Sequence, residues 1–191
     1  VPPARMATIW RDRLWLAGTP EDDIWFSQER AAGTADGWEF NEALTTGWSD
    51  GSGPIAAIAP LSWDALVLFR RDAVGVITGE GPDPGGAGAP YIVQTLSYEK
   101  GCSNPKAVTR GPLGVYFIDA ATGRPNVING GVVTEIGQGF ESYTGLTFTA
   151  AIHERLGAAY CFVRNCDLAT RPLQVRRIGL DPRTRSGGEA T

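Results

Sequence analysis

The chain has 191 residues, enough for one domain with a sizeable core or two small ones. It carries 25 Gly, 13 Pro and 6 Trp but only two lysines, Lys100 and Lys106, and its net charge is −4. That balance argues against a general polyanion binder, which needs a basic face. It leaves room for a lumen past which DNA slides, because attraction would hinder movement there. No stretch is apolar for long enough to span a membrane. No N-terminal signal pattern is present. The chain begins Val-Pro-Pro without an initiator Met, as a processed product or a piece of a longer polypeptide would.

Abundant Gly and Pro with few long amphipathic runs point to an all-β chain rich in turns. The first unit has strands at Arg5 to Ile9, Leu14 to Ala17 and Ile24 to Ser27, with a turn through Trp10 to Arg13 and a loop at Gly18 to Asp23. Gly and Pro interrupt every window long enough for a helix. Gln28 to Gly53 is a looser segment, in which Trp38, Phe40 and Trp48 read as pegs holding a loop to the body. The alternative for these rings is stacking on a ligand.

The second unit has strands at Ile55 to Ala59, Ala65 to Phe69 and Ala73 to Thr78, then Tyr91 to Tyr98. Ala65 to Phe69 is continuously apolar, as a strand buried on both faces would be. Pro60 to Asp64 reads as a turn, and Arg70-Arg71-Asp72 as an exposed hairpin tip or a contact for an acidic partner. The loop Gly79 to Pro90 is low-complexity and reads as flexible. It lacks the Lys-Ser or Lys-Thr of a phosphate loop, and no helix follows.

The third unit has strands at Lys106 to Thr109, Val115 to Ile118, Pro125 to Ile128 and Val132 to Ile136. Asn129-Gly130 marks a hairpin, because both central positions of a type I′ turn need positive φ. The fourth unit has strands at Leu146 to Ile152, Ala158 to Val163 and Leu173 to Ile178, with a turn at His153 to Gly157. The tail 181–191 is polar and Gly-rich, and reads as frayed.

Ile9, Ile58, Val108 and Ile152 recur at about 45–50 residues, the repeat length of β-propeller blades. The expected fold is therefore all-β, a β-propeller-like array of about four short antiparallel blades. It forms a single domain over residues 1–191, or a segment of a longer protein. A β-sandwich is the competing architecture, since it also spaces short strands evenly.

No constellation for chemistry stands out, so no catalytic, cofactor-binding or metal residue is assigned and no cofactor is expected. Glu21, Asp22 and Asp23 form an acidic turn without the alternate spacing of a calcium loop, and read as solvated. His153 is the only histidine; it sits between a strand and Gly157 and reads as a surface turn residue. One His with no Gly-x-Ser-x-Gly elbow defines no triad. Zinc would need more ligands and a Cys-x-x-Cys. The three cysteines, Cys102, Cys161 and Cys166, are an odd set; Cys161 and Cys166 could pair only if a turn brings them together, leaving Cys102 over, and buried or part-buried free thiols are the simplest reading. Trp63-Asp64 opens a strand where the Trp-Asp pair of repeat propellers closes one, so it reads as a turn beside a packing aromatic. Ser49-Asp50-Gly51 is only a fragment of a sialidase-type turn. No Asp or Glu sits at the end of a strand inside an otherwise apolar stretch, where its pKa would be tuned.

Four runs together carry a resemblance. They are Arg11-Asp12-Arg13-Leu14-Trp15-Leu16-Ala17-Gly18 with Ile24-Trp25-Phe26-Ser27-Gln28; Ile55 to Ile58 before Leu66 to Asp72 and Val76 to Gly79; Lys100 to Pro105 with Ala107-Val108; and Gly114 to Asp119 ahead of Gly130-Gly131. In this order they resemble the propeller-type tail tube, nozzle or hub proteins of short-tailed bacteriophages, over roughly residues 5–140. The resemblance implies a structural virion role in the channel for genome ejection, with no enzymatic activity and no cofactor. It also implies a ring of copies, a hexamer, docked to neighbouring tail or adaptor proteins, with genomic DNA passing without specific binding. Such proteins are usually much longer than this chain. The loops Arg30 to Gly53 and Gly79 to Pro90 are the expected intersubunit contacts. Two other classes fit the composition: a glycan-binding propeller module using Trp38 or Trp48, and a propeller-type glycoside hydrolase with two facing carboxylates.

Overall fold

In the computed structural model, the described residues are 3–29, 38–40, 44–83, 87–111, 113–136, 148–155, 158–165 and 174–179, the last three stretches as backbone alone. The tail, Cys166 and much of the segment 30–43 lie outside them. The protein is all-β, with four antiparallel sheets that follow one another along the chain. Sheet one is β1 (Met6–Trp10), β2 (Arg13–Ala17), β3 (Ile24–Phe26) and β4 (Thr45–Thr46). Sheet two is β5 (Ala57–Ser62), β6 (Ala65–Phe69), β7 (Val74–Thr78) and β8 (Ile92–Ser97). Sheet three is β9 (Val108–Gly111), β10 (Gly114–Ile118), β11 (Pro125–Asn129) and β12 (Val132–Glu135). Sheet four is β13 (Phe148–Arg155), β14 (Ala158–Asn165) and β15 (Gln174–Gly179). Each sheet is a meander whose strands pair in sequence order, and none closes on itself. The only helix among the described residues is one 3₁₀ turn, Pro105–Ala107, capped by Asn104, whose Oδ1 accepts from the Lys106 N–H. None is long and apolar enough to cross a membrane.

Strand alternation explains how the sheets stack. In β6, Leu66 and Leu68 point one way, into a core shared with Trp10, Trp15, Ala17, Ile24 and Phe26 of sheet one. Val67 and Phe69 point the other way, into a core shared with Val115, Tyr116, Phe117 and Ile128 of sheet three. Side chains alternate across a strand, so a run apolar at every position can bury both faces. All four of these β6 residues are fully buried.

The backbones of β1 and β5, of β5 and β9, and of β9 and β13 approach one another closely; β10 also lies near β5 and β13, and β8 near β12. Small side chains at Ala57 and Ala59 permit the close approach. Aromatic rings pack between sheets one and two. Trp15 lies 4.9 Å from Phe26 and from Tyr91, and 5.3 Å from Trp10, between centroids. Each such pair is worth about 0.5–1.5 kcal/mol beyond its buried area. Trp48 closes the same seam. Its Nε1 donates to Thr95 Oγ1 at 3.0 Å, and its ring lies flat over Gly75. The expectation that Trp48 is a peg is met, and its burial leaves no face for a sugar.

Several boundaries differ from the sequence reading. β4 was not foreseen, because two threonines carry no alternation. β5 runs on to Ser62, which shortens the turn to Trp63-Asp64; Trp63 is 61% exposed rather than packed. The β11–β12 turn centres on Gly130 (φ 56°) and Gly131 (φ 80°), one residue later than Asn129-Gly130. Asn129 instead pairs with Val132. His153 is not in a turn; it lies within β13, paired with Tyr160. Cys102 is a buried free thiol, and burial pushes its pKa up to about 12.

The Trp48–Gly75 contact gives a direct test. A Cβ at Gly75 would lie 2.9 Å from the Trp48 ring. Gly75→Ala is expected to lose about 1–3 kcal/mol of stability in urea unfolding, the usual cost of overpacking. A loss below about 0.5 kcal/mol would show that the ring does not sit there.

Candidate functional site: the polar ends of the sheet seams

Strands buried on both faces can place charge only at their ends, where loops must satisfy it. Two such residues, Arg70 after β6 and Asp119 after β10, organise one end of the sheets. Arg70 is 7% exposed. Its Nη1 donates to the Gly53 carbonyl and its Nη2 to the Trp48 carbonyl. Nη2 also pairs with Asp22 Oδ2 at 2.6 Å. The guanidinium lies 5.3 Å from the Trp48 ring centre. Asp22 Oδ1 in turn accepts the Ile55 N–H at 2.8 Å. One planar fork thus ties the turn after β2, the segment before β5 and the end of β6 together.

This overturns two expectations. Arg70-Arg71-Asp72 is not simply an exposed tip: Arg70 is a buried joint, Asp72 is half-buried, and only Arg71 is exposed. The acidic turn is not merely solvated either, since Asp22 is engaged by Arg70 while Glu21 is exposed. Among the described residues, no group of three or more His, Cys, Asp or Glu is placed to hold a metal ion.

Asp119 directly follows the apolar strand β10, which corrects the expectation that no Asp or Glu sits at the end of such a strand. It is 1% exposed. Oδ1 accepts the Gly101 N–H at 3.0 Å, and Oδ2 accepts the Thr122 N–H at 3.0 Å and its hydroxyl at 2.7 Å. The linker between sheets two and three is held from both sides. The Cys102 N–H donates to the Arg70 carbonyl at 2.7 Å, and the Ala120 N–H to the Gly101 carbonyl at 2.8 Å. A Cβ at Gly101 would run into the Arg70 and Arg71 carbonyls, so the position requires glycine.

Around these joints lie partly exposed polar groups. Asp50 Oδ2 accepts from Thr95 at 2.6 Å and from Tyr98 at 3.3 Å. Asp72 accepts from the Ser52 hydroxyl and from its N–H. The Ser52 hydroxyl chiefly, then its N–H, hold the Asp72 carboxyl below the usual range. Glu135 bridges Lys100 and Arg124, each at 2.9 Å. The Lys100 bond first, with Arg124 adding to it, lowers its pKa against a smaller opposing effect of burial.

The opposite end has a second clamp. The β1–β2 turn puts Arg11 (φ 52°) and Asp12 (φ 55°) in the left-handed region. Arg11 lies between Trp10 and Trp63, 5.9 and 5.8 Å from their ring centres, and donates to the Gly79 carbonyl. Buried Arg13 donates to the Ser27 carbonyl at 2.9 Å and to the Pro82 carbonyl. The start of the Gly79 to Pro90 loop is therefore tied down, contrary to its flexible appearance in sequence. Asp83 fastens it further: its N–H donates to the Ala87 carbonyl, and its Oδ1 accepts the Ala87 N–H.

These side chains fix loops. The carboxylates with a resolved shift, Asp72 and Glu135, lie below the ordinary range, the direction opposite to that of a general acid. Neither Arg70 nor Asp119 was singled out as buried from sequence. The available signal was a charge directly abutting a five-residue apolar run. No protein-family model matches the chain, and no curated protein matches it significantly.

Arg70→Met is expected to cost about 3–5 kcal/mol, because it leaves Asp22 and two carbonyls without their donor. Arg70→Lys should recover little of it, since one ammonium cannot reach all three acceptors. A loss under 1 kcal/mol for Arg70→Met in chemical denaturation would dismiss the joint. The lowered carboxylates set a pH dependence. The native state holds Asp72 and Glu135 less protonated than the unfolded chain. Their contribution is therefore complete above the ordinary carboxylate pKa of about 4 and is lost as pH falls below it. Ser52→Ala should move the Asp72 carboxyl titration upward by NMR, and Lys100→Met that of Glu135. Unmoved titrations would reject these partners.

Proposed function

We propose that the four sheets are blades of a β-propeller-like array and that the chain is a structural component of a bacteriophage tail tube, nozzle or hub. The architecture is supported by one observation: the first strands of successive sheets lie side by side, β1 by β5, β5 by β9 and β9 by β13. A sheet covered on both faces, as sheet two is, also fits a succession of blades better than a two-layer sandwich. The tail role rests on the resemblance of the four ordered runs between Arg11 and Gly131.

The mechanism is geometric. Rigid sheets, pinned at their ends by Arg70, Asp119 and Arg13, hold loops at a boundary between copies and towards neighbouring tail proteins. Heterologous contacts between identical copies close into a ring when the rotation permits. A net charge of −4 suits a channel that lets DNA pass without binding it. In this reading the protein resides in the virion and is not an enzyme.

Light scattering at near-physiological salt, with electron microscopy of the same sample, is expected to show a discrete closed ring of copies with a central channel. A monomer that binds in a glycan screen would overturn the tail reading in favour of a binding module.

A further inference from the structure

The turn between β11 and β12 sets an exposed asparagine beside two exposed glycines, Asn129-Gly130-Gly131. A Cβ at either glycine would meet nothing within 4 Å. Among the described residues, no hydrogen bond engages the Asn129 carboxamide or the Gly130 N–H. Asn129 pairs with Val132 as the last rung of the β11–β12 ladder, so its backbone is restrained from one side only.

The other asparagines with described side chains each lack a requirement that Asn129 meets. Asn104 precedes Pro105, which has no N–H, and its Oδ1 accepts from Lys106 at 2.9 Å. Asn126 is fully buried, its Nδ2 donates to the Arg124 carbonyl at 2.9 Å, and branched Val127 follows it inside β11. Asp50-Gly51 offers a carboxyl version of the same pair, but it is held. Thr95 and Tyr98 donate to Asp50 Oδ2, and a Cβ at Gly51 would lie 2.7 Å from that of Ala73.

We propose that Asn129 is a site of spontaneous deamidation, at which the turn modifies itself with water as the co-reactant. The Gly130 amide nitrogen gives its proton to hydroxide, and its electron pair attacks Asn129 Cγ. The new C–N bond closes a succinimide ring. The bond from Cγ to the side-chain nitrogen breaks, and that nitrogen takes a proton from water and leaves as ammonia. A second water then opens the ring. Addition at Cγ restores the ordinary main chain and leaves aspartate. Addition at the main-chain carbonyl leaves isoaspartate, with the chain routed through Cγ. Ring closure needs rotation of the peptide after Asn129, which glycine follows without steric cost. A single rung at an exposed hairpin tip opposes that rotation, and such rungs open locally without unfolding the sheet. Either product adds a negative charge to a chain whose net charge is −4. Isoaspartate also puts an extra main-chain atom into the turn that sets the start of β12. The chemistry is local to this turn and independent of the tail reading.

The test incubates the full chain in mildly alkaline buffer well below its melting temperature. It is then digested at mildly acidic pH, where the reaction is slow, and mapped by mass spectrometry, with isoaspartate detected by enzymatic methylation. The peptide carrying Asn129 is expected to gain the mass difference between an amide and an acid, with isoaspartate present. Peptides carrying Asn104 and Asn126 should keep their masses. Gly130→Ala should slow the gain on the order of tenfold, because its methyl group crowds the ring and resists the rotation. Asn129→Gln should abolish it, since the longer side chain must close a larger ring. Circular dichroism checks that each variant is folded. An unchanged Asn129 peptide from the folded chain would overturn the inference, even if the urea-unfolded chain reacts. A gain without isoaspartate, or one undiminished in folded Gly130→Ala, would overturn it as well.

Discussion

β6 has no exposed face, and the rest of the structure follows from that constraint. Leu66 and Leu68 are sealed by sheet one, Val67 and Phe69 by sheet three. A strand in this position cannot carry a charge along its length without desolvating it at a cost of several kcal/mol. Charge therefore appears only where the strand ends, at Arg70, and there it must be satisfied by neighbouring backbone. The loops that supply the carbonyls of Trp48 and Gly53, and the Asp22 carboxylate, are fixed as a consequence. β10 repeats the solution with the opposite sign, Asp119 accepting where Arg70 donates.

The two joints are mechanically connected. The Gly101-Cys102 linker takes the Arg70 carbonyl on one side and the Asp119 carboxylate on the other. Sheets two and three are thereby registered by backbone hydrogen bonds as well as by apolar contact. Apolar packing alone is tolerant of sliding, whereas donors and acceptors have fixed directions. That second kind of constraint fixes the position of the loops at this end. Lys100 extends the same linker to Glu135 on the outer strand of sheet three. The polar groups at this end thus form a framework across both seams.

The opposite end uses arginines as well, but to hold a loop. Arg11 and Arg13 take the Gly79 and Pro82 carbonyls, and the start of a Gly-rich segment becomes a defined edge. The left-handed backbone at Arg11 is strained for a side chain of that size. Stacking between Trp10 and Trp63 together with the carbonyl bond offsets it. Low-complexity composition describes what a segment can do alone and not what a neighbouring sheet does to it.

Much of the fold was legible in the sequence because strand formation here is local. Alternating or continuous apolar runs with Gly and Pro between them placed nearly every strand, and a repeat of about 45–50 residues gave the four units. β4 escaped because it is two residues long at a sheet edge, where pairing with β3 rather than its own composition makes it a strand. The type I′ turn shifted by one residue because Gly130-Gly131 fits two positive φ angles better than Asn129-Gly130. Burial of charge was the part that sequence did not reveal. Arg70 and Arg71 are identical neighbours in sequence, yet one is a buried joint and the other is exposed. Only the third dimension separates them, because the carbonyls and the carboxylate that make burial of Arg70 tolerable come from residues 17 to 48 positions away.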